Sequence, residues 1–505
     1  MSPAGGVLLT AASLLAGWIG LWPLRGRLGA VGYHLASYPI GLALWPLVVS
    51  VLSVLHIGFR PLLPFVGMVA ALFTTSLFLV RGCDESGGRP VPYWSYAAWG
   101  ACVVGLSAVV AFTGWTAAGF DSLFNYEAWG VWLYDEGTFT RSIIGSFGAF
   151  IPSIHAANRF FGSDWTSTPY PVMSLHVTLL FVTAVVQWAR ARVGAAISVA
   201  IALGALALMV TTQSYVHHTL YVHSHMTTAA YLLLAFFGLQ RAYLGEDDAG
   251  NPPSDATAIA WLLVAGVASA ASALTRPDGI AYIAVPAVVG TLLWLAGSRS
   301  IRSQAVLVCA AALPVAMVYI SSFYTLGLWR AKKLSGTKAA AVLVALALCA
   351  VASMGVGLLP RLRTWLGQRG RAMALTVALE IVAITGLVLL NPSRFAESTR
   401  NMVTNLFRTG GYGYLWYFAF GAILVSLAWG GQWRSGRWPS YLVFAILQFF
   451  IVAAAVHGVG HPGRLNPADS FNRVSFHAVP LVFWYVAMVV AALVEAFREQ
   501  VQQVD

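Results

Sequence analysis

Residues 94–118 read WSYAAWGACVVGLSAVVAFTGWTAA, a run without one charged side chain. As a helix rising ~1.5 Å per residue it is long enough to cross a ~30 Å hydrocarbon core. Directly after it, residues 121–136 read DSLFNYEAWGVWLYDE. The chain holds only 18 Asp and Glu in 505 residues, and four of them fall in this short segment. An acidic, aromatic segment hung on the end of an apolar helix marks either a snorkelling patch or a proton-handling site. Charge beside an apolar layer is expensive and is usually kept for function.

The rest of the chain repeats the apolar half of that pattern. Composition is 59% hydrophobic and 9% charged, with a mean hydropathy of +0.75, against about 25% charged residues in soluble domains. Apolar windows recur near 5–22, 36–57, 61–80, 95–118, 168–189, 193–213, 219–239, 257–274, 279–297, 304–328, 339–359, 372–390, 412–430, 439–457 and 474–495. The fold class this predicts is all-α: a polytopic helical membrane protein of about 13–15 spans forming one membrane domain. No Lys or Arg precedes the apolar run Gly6–Trp22, which argues against a cleaved signal peptide. Four cysteines (Cys83, Cys102, Cys309, Cys349) show no disulfide or metal spacing and read as packing residues. The +11 charge lies in short loops, where it signals topology and not nucleic-acid binding.

Loop charge sets an orientation. Arg25 and Arg27, Arg81 and Arg89, Arg190 and Arg192, Arg241, Arg299 and Arg302, Arg361 to Arg371, Arg434 and Arg437, and Arg498 all follow odd-numbered spans. The positive-inside rule places those loops in the cytoplasm and the Asp121 loop outside. The basic loop at Arg330, Lys332, Lys333 and Lys338 falls on the other side and is the exception. Residues 119–167 form a long outer loop, in which Leu123, Tyr126, Glu127, Val131 and Tyr134 recur at helical spacing beside Trp129 and Trp132. That pattern predicts an amphipathic helix lying at the membrane interface. Two further outer loops, 391–411 and 458–473, bring Arg394, Arg400, Arg408, Arg464 and Arg473. Acid in one outer loop therefore faces arginine in others.

Four elements carry a resemblance to a known family. Asp121 opens a juxtamembrane helix closed by Leu133-Tyr134-Asp135-Glu136-Gly137; Thr168-Pro169-Tyr170-Pro171 opens the next span; Thr275-Arg276-Pro277-Asp278-Gly279 joins two spans on the outer side; and Arg473 and Pro480 flank the last span. In this order the chain resembles the GT-C superfamily of integral-membrane glycosyltransferases, including aminoarabinose transferases and protein O-mannosyltransferases. The resemblance covers residues 95–495, leaving 1–94 as additional N-terminal helices and 496–505 as a short cytoplasmic tail. It departs from the family where Ser122 stands in place of a second acid and where Val172 follows Tyr170-Pro171.

The resemblance implies inverting transfer of a sugar from a polyprenyl-phosphate-linked donor to a hydroxyl of a cell-envelope glycan, lipid or protein. It implies a bacterial plasma (inner) membrane location with the active site on the extracytoplasmic face, the bilayer as a partner, and no nucleic acid. Asp121 is then the general base that takes the acceptor hydroxyl proton, although an Asp at this place also suits a helix N-cap. Glu127 lies off the Asp121 helix face and reads as an auxiliary polar group, and Asp135 and Glu136 as a solvated helix end. A departing lipid phosphate calls for guanidinium forks, which makes Arg276 and Arg473, with His477 a turn beyond, the donor-phosphate residues. Tyr170, His223, His225, Asp278, Arg394, Arg400 and Arg408 join Glu127 as substrate-binding candidates. The run His217-His218 followed by His223-Ser224-His225 fits either a polar rim or a divalent-metal site; no cofactor is otherwise indicated. Glu380 inside an apolar run needs a buried partner. Two rival functions stand beside this one. An O-antigen-ligase-like transferase would use a late loop such as that of His461 and Arg464. A secondary transporter would show half-repeats and mid-membrane charge.

Overall fold

The computed structural model describes residues 3–81, 90–114, 116, 126–139, 148–221, 223–245, 253–276, 280–297, 300–326, 344, 347, 351–352, 355–356, 359–367, 371–428, 437–453 and 475–504. The protein is an all-α, polytopic helical membrane protein. In chain order the helices are α1 (Ala4–Leu21), α2 (Arg25–Leu42), α3 (Trp45–Leu55), α4 (Leu62–Val80), α5 (Tyr93–Thr113), α6 (Ala128–Glu136) and α7 (Phe150–Phe160). Next come α8 (Pro169–Val193), α9 (Ala195–Val210), α10 (Gln213–Leu220), α11 (Ser224–Tyr243), α12 (Asp255–Leu274), α13 (Ile280–Ala296) and α14 (Ile301–Leu326). The last are α15 (Pro360–Gly367), α16 (Arg371–Leu390), α17 (Pro392–Thr404), α18 (Leu415–Ala428), α19 (Arg437–Ala453) and α20 (Val479–Val504). Helices dominate because each satisfies its own backbone hydrogen bonds, which lipid cannot do.

Among the described residues, seven segments are long and apolar enough to cross a membrane, and an eighth if the pair α9–α10, bent by 76°, counts as one span. Four shorter apolar helices lie within α13, α16, α18 and α19. Three expectations need correction. The span expected at 36–57 is divided between α2 and α3, where Pro39 and Pro46 bracket a break at Ala43–Leu44. The span expected to start at 219 begins instead at Ser224, because residues 213–220 turn away as the separate helix α10. The segment 391–411, expected as a loop, is the amphipathic helix α17 followed by a π turn over Asn405–Thr409. Most of 339–359 and all of the loop 458–473 lie outside the described residues.

Close packing at small residues holds the bundle. A side chain added at Gly17 would run into the Ser37 carbonyl, and one at Gly41 into that of Ser13, so α1 and α2 form a tight antiparallel hairpin. α12 is the central helix, with 89% of its apolar window buried. It packs against α11 at Gly238, against α14 at Gly266, and against α2 where the Trp261 ring fills the space at Gly32. Every residue of α11 is buried. In lipid such packing replaces hydrophobic exclusion as the force between helices. By contrast α4 and α5 are only 22% and 17% buried and present their outer faces to lipid. The N-terminal helices belong to this same core: Tyr231 of α11 donates its hydroxyl to the Pro39 carbonyl at 2.7 Å. Glu380 finds its buried partner in Gln448 of α19, whose amide donates to the carboxylate.

The two ends of the bundle differ. At one, arginines stack on tryptophans: Arg25 over Trp22 at 4.1 Å, Arg192 over Trp188 at 4.4 Å and Arg363 over Trp294 at 4.3 Å. Arg302 donates to the Leu79 carbonyl, Arg498 donates to that of Val193, and Arg192 pairs with Glu495. At the other end the Thr168 hydroxyl donates to the Gly6 carbonyl at 3.1 Å, the Phe139 amide donates to Ser53, and the segment at Gly148 lies against Leu274–Arg276.

Gly17→Val should destabilise the α1–α2 hairpin by about 1–3 kcal/mol or more through overpacking. Gly67→Val, on the exposed face of α4 with no atom near an added Cβ, should be close to neutral. Thermal unfolding of the two variants in detergent checks the contrast, and equal midpoints would refute the packing argument.

Candidate functional site

The end of the bundle opposite the arginine–tryptophan pairs carries two joined polar groups. The first grows from the crossing of α6 and α7. Gly130 of α6 lies directly on His155 of α7, with no room for a side chain between them. One turn before Gly130 stands Glu127, so the same close approach puts its carboxylate on His155, Nδ1 to Oε2 at 2.5 Å. Arg159, one turn beyond His155, brings its Nε to 3.8 Å from the other carboxylate oxygen. On the other side of the ring, His155 Nε2 shares a hydrogen bond with the Tyr170 hydroxyl at 2.8 Å. His155 and Tyr170 are fully buried, and Glu127 is 7% exposed. An unpaired charge would be very costly here, and the chain Tyr170–His155–Glu127–Arg159 avoids it.

Within the stretch expected to be an amphipathic helix, the described residues form the short helix Ala128–Glu136, and the expected face does not hold, since Tyr134 is exposed. Tyr126, Trp129 and Leu133 face inward, while Trp132, Tyr134, Asp135 and Glu136 are exposed. Tyr126 joins the first group to the second. Its hydroxyl donates to Ser224 at 3.3 Å, and its ring stands edge-on to His223, centroids 5.1 Å apart.

The second group surrounds the start of α11. His223 has extended backbone geometry and its Nδ1 accepts from the Ser224 amide at 2.9 Å, so this imidazole caps the helix. The helix path then places His225 inside, stacked on His223 at 4.1 Å and on His477 at 5.0 Å. His225 Nδ1 and His477 Nε2 share a hydrogen bond of 2.8 Å. Thr228, one turn on, bonds to Thr275 at 2.7 Å and so ties the end of α12 to the first turn of α11. Arg276 follows, and its Nη1 donates to His225 Nε2 at 3.4 Å. His218 of α10 lies 5.0 Å from His225 and packs on Phe476 at 4.5 Å. Beside the group, at the bend between α9 and α10, a cleft of about 360 Å³ is lined by residues including Leu208, Gln213, Tyr412, Leu415, Phe418 and Phe483. Its Tyr412 hydroxyl hydrogen-bonds with Ser475, two residues before His477, at 2.7 Å.

The sequence candidates divide accordingly. Arg276, His223, His225 and His477 meet in one cluster. Glu127 and Tyr170 meet through His155. Arg394, Arg400 and Arg408 are exposed on α17 and the turn after it. Asp121, Asp278 and Arg473, and also His461 and Arg464, lie outside the described residues. Among the described residues no group of three or more His, Cys, Asp or Glu side chains is arranged to hold a metal ion. Sequence reading overlooked His155 and Arg159. Their signal was present: a histidine and an arginine one helical turn apart in the otherwise uncharged run 150–160 of an outer loop. Comparison of the chain with family models, with curated proteins and with solved structures finds no match.

Glu127→Ala takes the carboxylate away from the buried His155, while Arg159 keeps Asp164 at 3.5 Å, and should cost on the order of 2–3 kcal/mol. Tyr170→Phe removes one hydroxyl contact and should cost about 1 kcal/mol. If detergent unfolding ranks the two the other way, the carboxylate does not organise this group.

Proposed function

We propose that this protein is an inverting glycosyltransferase, moving a sugar from a polyprenyl-phosphate-linked donor to an acceptor hydroxyl at the outer face of the membrane. One observation carries the reading. A guanidinium, Arg276, and a hydrogen-bonded histidine pair, His225 and His477, converge at the end of the bundle where α6 begins. That is the chemistry a departing phosphate needs: a fixed cation with several donors, in a buried site where water screens little. The cleft at the α9–α10 bend supports it. Leu208, Tyr414 and Phe418 are exposed there, so an isoprenoid tail can enter from lipid while its phosphate lies toward His477.

In this reading Asp121 is the base. It precedes Tyr126 by five residues, and Tyr126 touches both Ser224 and His223; such a tether reaches at most about 18 Å. Arg473, four residues before His477, is within about 14 Å of it by the same measure. Acceptor attack at the anomeric carbon sends the hydroxyl proton to the Asp121 carboxylate. The electron pair of the breaking carbon–oxygen bond goes to the lipid phosphate, which Arg276 and Arg473 hold. Arg394, Arg400 and Arg408, on the surface, serve an anionic acceptor or lipid headgroups.

Asp121→Asn keeps the size of the side chain but cannot take the proton. Transfer of labelled sugar from polyprenyl-phosphate donors in proteoliposomes should fall about 10²–10⁴-fold with folding intact. Residual activity above about a tenth would remove Asp121 from the role of base. Arg276→Lys keeps the charge but loses the planar fork, and activity should drop substantially. Single cysteines beside Asp121, Arg276 and Arg473 should all react with an impermeant maleimide in intact cells; protection of any one breaks the shared outer site.

A further inference from the structure

The hydrogen bonds of the histidine group determine where its protons sit. A guanidinium donates and never accepts, so His225 Nε2, facing Arg276 Nη1 at 3.4 Å, is an acceptor. The His225 ring proton is therefore on Nδ1 and is donated to His477 Nε2 at 2.8 Å, which leaves the His477 proton on Nδ1. Both rings are neutral in this arrangement. Among the described residues, the groups facing them are His218 on α10, His223 at the start of α11, Arg276 after α12 and Tyr126 before α6, edge-on to His223, while α19 presents the uncharged ring of Phe449 to His477. Glu127, the buried carboxylate at this end among the described residues, is engaged by His155 and Arg159. A cation thus stands beside a hydrogen-bonded pair of uncharged imidazoles.

That combination distinguishes one phosphate from another. A sugar-bearing lipid phosphate is a diester with a single negative charge, which one guanidinium balances. The released lipid phosphate is a monoester with a second ionisation near pH 6, and its second charge needs a second cation. We infer that the His225–His477 pair takes up one proton when a phosphate monoester binds at Arg276, so that the site holds the lipid-phosphate product more tightly than the diester donor. The inference rests on the proposed function for the identity of the ligand and extends it to product retention. The uptake stops at one proton, because rings stacked at 4.1 Å and 5.0 Å repel a second charge. Its sign is set by linkage: the bound state carries the extra proton, so affinity falls as pH rises, by up to about tenfold per unit.

The test is calorimetric titration of the full-length protein in detergent. The probes are geranyl monophosphate and its methyl diester, each measured in buffers of different ionisation enthalpy. The expected result is uptake of close to one proton for the monoester, near zero for the diester, and monoester affinity that weakens from pH 7 to pH 9. His477→Gln and His225→Asn, each checked for folding by its unfolding midpoint, should lose the proton uptake and bring the two affinities together. Arg276→Ala should weaken both probes. Absence of monoester binding by the parent overturns the inference. So does monoester binding with no proton taken up, retention of the uptake in both histidine variants, or binding only with an added divalent cation, which would make the cluster a metal site. The transferase reading fails separately, if Asp121→Asn keeps its transfer activity while the proton-linked binding is observed.

Discussion

The polar end of this protein depends on how closely α11 and α12 approach each other. Their contact is made by Gly238 on one side and by Ala265 and the Trp261 backbone on the other. With no side chain at Gly238, the two backbones come close enough for Thr228 and Thr275 to share a hydrogen bond at the end of the pair. That bond sets the last residues of α12 against the first turn of α11, and Arg276 comes to His225 as a result. Between helices in lipid, van der Waals contact at small residues does the work that water exclusion does in a soluble core. A few small residues far from the site thus control where its cation stands.

A second close approach, Gly130 on His155, does the same for the acidic group. Here the helices lie at the end of the bundle, and what they bring together is a buried carboxylate, an imidazole, a phenol and a guanidinium. A buried carboxylate is costly alone, and here the histidine and the guanidinium stand against it. Tyr126 touches the histidine group and Glu127 the acidic one, although they are neighbours in the chain. The start of α6 is therefore held from both sides.

The cost of charge in this environment also explains the contrast between the two ends. Arginines at one end lie over tryptophan rings or donate to carbonyls at helix ends, an arrangement that suits snorkelling side chains at a membrane boundary. At the other end one guanidinium is drawn inward among buried histidines. The same residue type anchors the bundle at one end and takes part in a buried polar group at the other.

Hydropathy and loop charge in the sequence determined that the chain is all-helical and crosses a membrane many times, because a backbone in lipid has few other ways to satisfy its hydrogen bonds. The same reading marked the acidic segment of Glu127 and the histidine run of His225 as unusual, since polar groups near apolar runs are costly wherever they fall, whereas Arg276, His477 and Tyr170 were singled out only through the family resemblance. Periodicity put Tyr126 and Glu127 on one face, and both are buried, but it put the exposed Tyr134 on the same face and missed the buried Leu133. It did not find the bend after α9, the break between α2 and α3, or the helical form of α17. Those depend on what each segment packs against more than on its own composition. Only the tertiary structure decided that His225 meets His477 across 252 positions of sequence, and that His155 links Glu127 to Tyr170. Which polar residues share a site is determined by where helix backbones come close, and that depends on the shapes of distant small residues, which no local pattern encodes.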